Sequence, residues 1–166
     1  MNIKRAFKTM QKHGDGYSYY TQIKTGKYIV SNGHVVVTVS EADFEANKQY
    51  LKNLREVSDV LLKVARDMKT YDTEAARLTT VSILCGDKQT RVIKSEHGLC
   101  VVNTAYIEVL QDVGCSMYFE TPTPVNGQIK TPLVECVVGE DDEVYHLNAV
   151  LPINTNVKEV LERVIS

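Results

Sequence analysis

The residues of this chain whose type and spacing could do chemistry are cations on two helical stretches. In the first, Lys4, Lys8 and Lys12 recur at every fourth position, with Arg5 beside them. In the second, counted at about 100° per residue, Lys48, Lys52, Arg55, Lys63, Arg66 and Lys69 fall within an arc of roughly 120°. Asp59 and Leu62 interrupt that arc. A polar helix face usually mixes signs and does no more than meet solvent. A face of one sign can contact a phosphate backbone without reading its sequence.

No other constellation points to a reaction. There is no Walker loop, no G-x-G-x-x-G and no G-x-S-x-G. His13, His34, His97 and His146 are scattered, and no nucleophile is spaced for His34 to serve. Asp67, Asp141 and Asp142 have no partner at metal-ligand spacing. Cys85, Cys100, Cys115 and Cys136 are far apart and form no C-x-x-C pair. Cys85, Cys100 and Cys136 lie in apolar runs, where a reduced cysteine acts as a small hydrophobe. The expectation is a protein without catalytic residues, metal or cofactor.

With 166 residues, 43% of them hydrophobic and 24% charged, the chain is long enough to close one core. Its net charge of −2 is divided unevenly: residues 1–70 carry +5 and residues 71–166 carry −7. That asymmetry suits an anionic partner on one face, or self-association. No apolar run is long enough to span a bilayer, and no signal-peptide core follows the basic N-terminus. A cytoplasmic protein is expected.

The elements that must position these residues follow from periodicity. Residues 2–12 predict a helix with Ile3, Ala6, Phe7 and Met10 on one side. Strands are expected at 17–23, 27–30 and 34–40, with Asn32-Gly33 as a tight turn. Ser40 and Asp43 form a capping-box pattern, opening a helical region that runs to about Lys69. Its expected buried face is Tyr50, Leu54, Val57, Val60, Leu61, Val64 and Met68, with a kink near Ala46–Asn47 because Phe44 falls on the basic side. Residues 71–77 read as a polar link. Strands follow at 78–85, 89–95 and 99–102, then a helix at 104–113, strands at 115–120, 127–138 and 143–151, and a last helix at 156–165. In that last helix Val157, Val160, Leu161 and Val164 are expected to face inward. Pro132 makes the 127–138 strand an edge or breaks it, and the acidic turn 140–143 reads as solvated. Hairpin turns dominate, so the expected class is α+β with antiparallel sheets.

Residues 98–154 resemble the second half of a domain of the bacterial DNA sliding clamp, the β subunit of the replicative polymerase. The matching features are the strand ending in VNTAYI, the helix TAYIEVLQDVG, the meander CSMYFETPTPVNGQIKTPL and the closing VLPI. NIKRAFKTMQK resembles the helix that opens such a domain. YIVSNGHVVVTVS resembles its first hairpin, with Asn32-Gly33 in place of an aspartate-glycine turn. The resemblance covers about two thirds of the chain at the level of pattern. Residues 41–71 have no counterpart in it, and the second helix carries Glu108 and Asp112 without a Lys or Arg.

The resemblance implies a DNA-clamp-like domain with two short helices and a long inserted amphipathic helix. Its first half would be 1–40, the helical insertion 41–71, the second half 78–154 and an added C-terminal helix 156–165. It further implies a non-enzymatic protein of DNA replication, with a phage or mobile element as its expected source. Lys4, Lys8 and Lys12 would face duplex DNA, joined by the basic face of the insertion. Leu151, Pro152 and Ile153 would border an apolar groove for a peptide of a replication protein. A chain with one such domain would need several copies to make a ring, so a homo-oligomer is implied. The competing expectation is a protein-interaction or oligomerisation module of the same fold that does not bind DNA.

Overall fold

The computed structural model describes residues 1–57 and 59–165. Helix α1 (Ile3–His13) is capped by the Asn2 side chain, which accepts from the Arg5 N–H at 3.0 Å. It buries the expected stripe of Ile3, Ala6, Phe7 and Met10. Three antiparallel strands follow: β1 (Ser18–Gln22), β2 (Tyr28–Ser31) and β3 (Val35–Val39). After an excursion over residues 40–71, β5 (Thr73–Cys85), β6 (Lys88–Ser95) and β7 (Leu99–Asn103) form a second meander. Helix α4 (Thr104–Asp112), capped by Asn103, leads into β8 (Tyr118–Pro122), β9 (Leu133–Val138) and β10 (Val144–Val150). The chain closes on α5 (Val157–Ile165).

With β4 (Leu54–Glu56), the strands among the described residues form one ten-stranded sheet, in the order β4-β1-β2-β3-β10-β9-β8-β5-β6-β7. Every pairing is antiparallel except that of β4 (Leu54–Glu56), which lies parallel to β1. The architecture is thus α+β. The order helix–strand–strand–strand occurs twice, as α1-β1-β2-β3 and as α4-β8-β9-β10. The third strands of the two units, β3 and β10, pair antiparallel at Val36 and Ala149. Outward from that pairing the strand order is the same on both sides, β2 then β1 and β9 then β8.

Alternation along the strands sends neighbouring side chains to opposite faces. Val30, Val35, Val37, Ile93 and Val102 pack with Phe7 and Met10 of α1 and with Ile107 and Leu110 of α4. Ile29, Leu147 and Ala149 instead pack with Leu62, Ala65 and Met68 of α3 (Val60–Met68). Val92 and Val101 pack with Val160 of α5 on that second face. Helices α1 and α4 therefore cover one face of the sheet, and α3 and α5 cover the other.

The expected long helix over 41–69 is not formed. Ser40 does cap α2 (Glu41–Asn47), accepting from the Asp43 N–H at 3.1 Å, and the break falls at Asn47 as the position of Phe44 requires. A single 3-10 turn (Lys48–Tyr50) follows, then Asn53 in the left-handed region at φ 51°, then strand β4. The backbone of β1 would otherwise be an open edge, and β4 takes up its hydrogen bonds. Helical periodicity over 48–57 is thereby overridden by a pairing with residues far away in sequence. The register of α3 also differs from expectation. Leu62, Ala65 and Met68 are buried, whereas Val60 and Val64 are 76% and 39% exposed.

Other boundaries move less. Residues 73–77 of the expected polar link open β5 instead, and the 127–138 strand begins only at Leu133, beyond Pro132. In α5, Val160 is buried as expected, and the side chains of Val157 and Val164 lie outside the described residues.

Candidate phosphate-contact face and apolar groove

The cations divide between the two faces of the sheet. Lys4, Lys8 and Lys12 project from the outer side of α1, all exposed. The ammonium groups of Lys4 and Lys8 sit 5.3 and 5.1 Å from the centroid of the Tyr50 ring, which the 3-10 turn presents against α1. These are cation–π distances. Hydrogen bonding by Gln49, followed by Lys4 and the charges of Lys4 and Lys8, holds the Tyr50 phenol below its ordinary range despite its partial burial. Lys52 joins this group because its backbone N–H donates to Gln11 Oε1 at 2.8 Å. Lys48 is nearby, 5.9 Å from the Phe44 ring and ion-paired with Glu45 at 2.7 Å. Among the described residues no carboxylate lies within ion-pair distance of Lys4, Lys8, Lys12 or Lys52.

The remaining members of the expected basic arc are elsewhere, which corrects the picture of one continuous face. Arg55 is on edge strand β4, its guanidinium 5.6 Å from the Tyr17 ring. Lys63 and Arg66 ride on α3 and Lys69 stands at its C-cap, across the sheet from α1. Arg66 donates to the Asp142 carbonyl at 3.1 Å and to Asp59 at 3.3 Å. Lys69 donates to the Gly139 carbonyl at 2.9 Å and to Asp142 Oδ1 at 3.1 Å. Lys24 reaches Asp141 at 3.4 Å. The acidic turn is thus a clasp that ties α3 and the β1–β2 turn to the β9–β10 turn. The turn is exposed, as its acidic sequence suggests, and two of its carboxylates, Asp141 and Asp142, also take ion partners there.

The acidity of α4 is partly cancelled in the same way. The Arg5 guanidinium grips the Asp112 carboxylate through both Nε and Nη2, with Nε 2.9 Å from Oδ2. Asp112 is 6% exposed, so the pair is an anchor between α1 and α4. Glu108 remains exposed on that helix. Neither the Arg5–Asp112 pair nor the role of Tyr50 had a local signal in sequence; the first joins residues 107 positions apart.

On the opposite face, α3 and the strands enclose an apolar groove of about 430 Å³. Val36, Leu61, Val64, Leu147 and Leu151 are among its lining residues, and His34 stands at its edge. Of the three residues expected to border a groove, Leu151 does so. It is 49% exposed, and its N–H donates to the His34 carbonyl at 2.7 Å. Pro152 and Ile153 are not part of that lining. Ile153 has turned away, donating its N–H to the Val101 carbonyl of β7 at 2.7 Å. The His34 ring stacks on Tyr106 (centroids 5.9 Å apart) and its Nε2 lies 3.2 Å from Asp15 Oδ2. The Tyr106 hydroxyl donates to the His13 carbonyl at 2.8 Å. These contacts fix the rim of the groove.

Three of the four cysteine thiols are muted by burial. Burial pushes the thiols of Cys100 and Cys115 up to about 12 and that of Cys136 to about 11, far from the thiolate form. Among the described residues, no three His, Cys, Asp or Glu side chains gather as a metal-binding group. None of the described helices is long and apolar enough to cross a membrane.

No protein-family model matches this chain, no curated protein matches it, and no solved structure matches it.

Proposed function

We propose that this is a non-enzymatic, clamp-like protein that rests the α1 side of its helix layer on the phosphate backbone of duplex DNA. The observation that carries the reading is the set of four lysines, Lys4, Lys8, Lys12 and Lys52, gathered around α1 with no carboxylate partner among the described residues. Such cations release counterions when they meet phosphates, and they carry no sequence information. The twice-used helix–strand–strand–strand order, with both helices on one face, supports the clamp-like description. Lys48 belongs to the same surface. Arg55, Lys63, Arg66 and Lys69 do not belong to it, and three of them have partners within the protein or across a ring. In a labelled-duplex titration at low salt, the protein binds mixed sequences equally, and Lys4→Glu with Lys8→Glu removes the binding. Equal binding by that double variant rejects the proposal.

A second reading is a protein-interaction module, favoured by the apolar groove. Val60 and Val64 of α3 line it and are exposed, and apolar surface of that kind accepts large side chains of a partner. The resemblance to the clamp family assigns such a groove to short peptides of replication proteins. Calorimetric titration with short peptides carrying adjacent large apolar side chains tests it. Binding abolished by Leu61→Asp supports this reading, and no binding by any such peptide rejects it.

A further inference from the structure

On the sheet face that carries α3 and α5, one row of side chains is left open. Across three neighbouring strands the pairing sets Lys94 of β6 opposite Arg77 of β5, and Arg77 opposite Tyr118 of β8. Their chain neighbours Ala76, Ile93 and Phe119 pack on the α1 side, so these three side chains leave the sheet on the other face. With strands about 4.8 Å apart, the row runs about 10 Å from Lys94 to Tyr118. All three residues are exposed, Tyr118 by 73%.

Two cations set directly opposite one another repel, which costs a sheet stability. Among the described residues neither Arg77 nor Lys94 has a carboxylate within ion-pair distance. One row on, Ala75 stands opposite Glu120, whose Oε1 accepts from Thr73 Oγ1 at 2.5 Å. The small side chain of Ala75 leaves a depression of about 380 Å³, walled by Arg77, Lys94, Tyr118 and Glu96.

We propose that this depression binds one nucleotide unit, with its phosphate between Arg77 and Lys94 and its base on the Tyr118 ring. An anion between two opposed cations relieves their repulsion, and an arginine presents a fork of N–H donors to phosphate oxygens. An exposed aromatic ring offers a stacking face that suits any base. Glu96 selects among phosphorylated aromatic groups. Its carboxylate opposes the phosphate unless the ligand brings donors to that side. A nucleotide brings sugar hydroxyls and exocyclic amines, whereas the ring of a phosphotyrosine brings neither. The unit can be free or part of a single strand, because both present the same phosphate and base. A duplex keeps its bases stacked on one another, so this is not the ligand read for the α1 lysines, and the two sites lie on opposite faces. The inference does not rest on that reading.

The test follows the backbone amide shifts of the isotope-labelled full chain during titration with adenosine monophosphate. Shifts concentrate at residues 75–77, 94–96 and 118. Tyr118→Ala lowers the affinity at least about fivefold, and Tyr118→Phe retains it because stacking needs the ring alone. Arg77→Gln and Lys94→Gln each lower it about tenfold or more. These side chains are exposed, so the variants keep the circular dichroism of the wild type. A short single-stranded oligodeoxyadenylate, titrated into a chain with Lys4→Glu and Lys8→Glu, separates the sources. Tighter binding than the mononucleotide assigns the site to a strand, and equal or weaker binding assigns it to a free nucleotide. Shifts at Lys4, Lys8 and Lys12 instead, or no shifts at all, overturn the proposal. So does an affinity that Tyr118→Ala and Arg77→Gln leave unchanged, or inorganic phosphate or phosphotyrosine binding as tightly as the nucleotide.

Discussion

Salt dependence gives the phosphate-contact reading a number. Among the described residues, four lysines on the α1 face lack a carboxylate partner: Lys4, Lys8, Lys12 and Lys52. Each phosphate they neutralise contributes about −0.9 to the slope of log K against log salt, so four contacts give a slope of about −3.6. Between about 50 and about 200 mM salt, affinity for duplex DNA then falls roughly 150-fold. Neutralising one lysine, Lys8→Gln, lowers affinity at low salt and makes the slope shallower by about 0.9. Lys63→Gln, on the far face of the sheet, changes neither. Fluorescence anisotropy of a labelled duplex at a series of salt concentrations measures all three slopes. A wild-type slope near zero, or a slope that Lys8→Gln leaves unchanged, refutes the reasoning.

Two further outcomes follow from packing and charge. In α3, Leu62→Ala should cost about 2–5 kcal/mol because the side chain is buried, whereas Val60→Ala should change stability by no more than about 0.5 kcal/mol. Urea unfolding of the two variants checks this, and equal losses would contradict the observed register. His97 Nδ1 lies 2.8 Å from Glu74 Oε1. Hydrogen bonding by Glu74 raises the His97 imidazole above its ordinary 6.5. Hydrogen bonding by Ser95, ahead of that by His97, lowers the Glu74 carboxyl below its ordinary 4.5. The raised histidine stabilises fully below its unfolded value and loses that effect as pH rises through its folded one. The lowered carboxyl stabilises fully above its unfolded value and loses that effect as pH falls through its folded one. The pair therefore helps most between pH 4.5 and 6.5. Thermal melts of His97→Gln should show their largest deficit in that window and a shrinking deficit at higher pH. A constant deficit would count against the pair.

What could be read in the sequence was what neighbouring residues decide. Ser40 caps α2 and Asn32-Gly33 turns the β2–β3 hairpin, because those bonds span only a few neighbouring residues. The path of residues 48–57 could not be read that way. Its strand exists because β1 offered an edge, and nothing in KQYLKNLREV announces a partner at Ser18–Tyr20. The basic arc failed for the same reason, since its residues ended on three different elements. Lys4, Lys8 and Lys12 survived as a group because one short helix carries them all. The groove was legible only at Leu151; Val36, Leu61 and Leu147 meet there through tertiary packing.

The central claim is that the α1 side of the helix layer, and not α3, meets the DNA backbone. Backbone amide shifts of the isotope-labelled protein, followed by NMR during titration with a short duplex, test it most directly. The account predicts shifts concentrated at Lys4, Lys8, Lys12 and residues 48–52, with α3 and the groove unmoved. Shifts centred on Lys63, Arg66 and Lys69, or none anywhere at low salt, would contradict it.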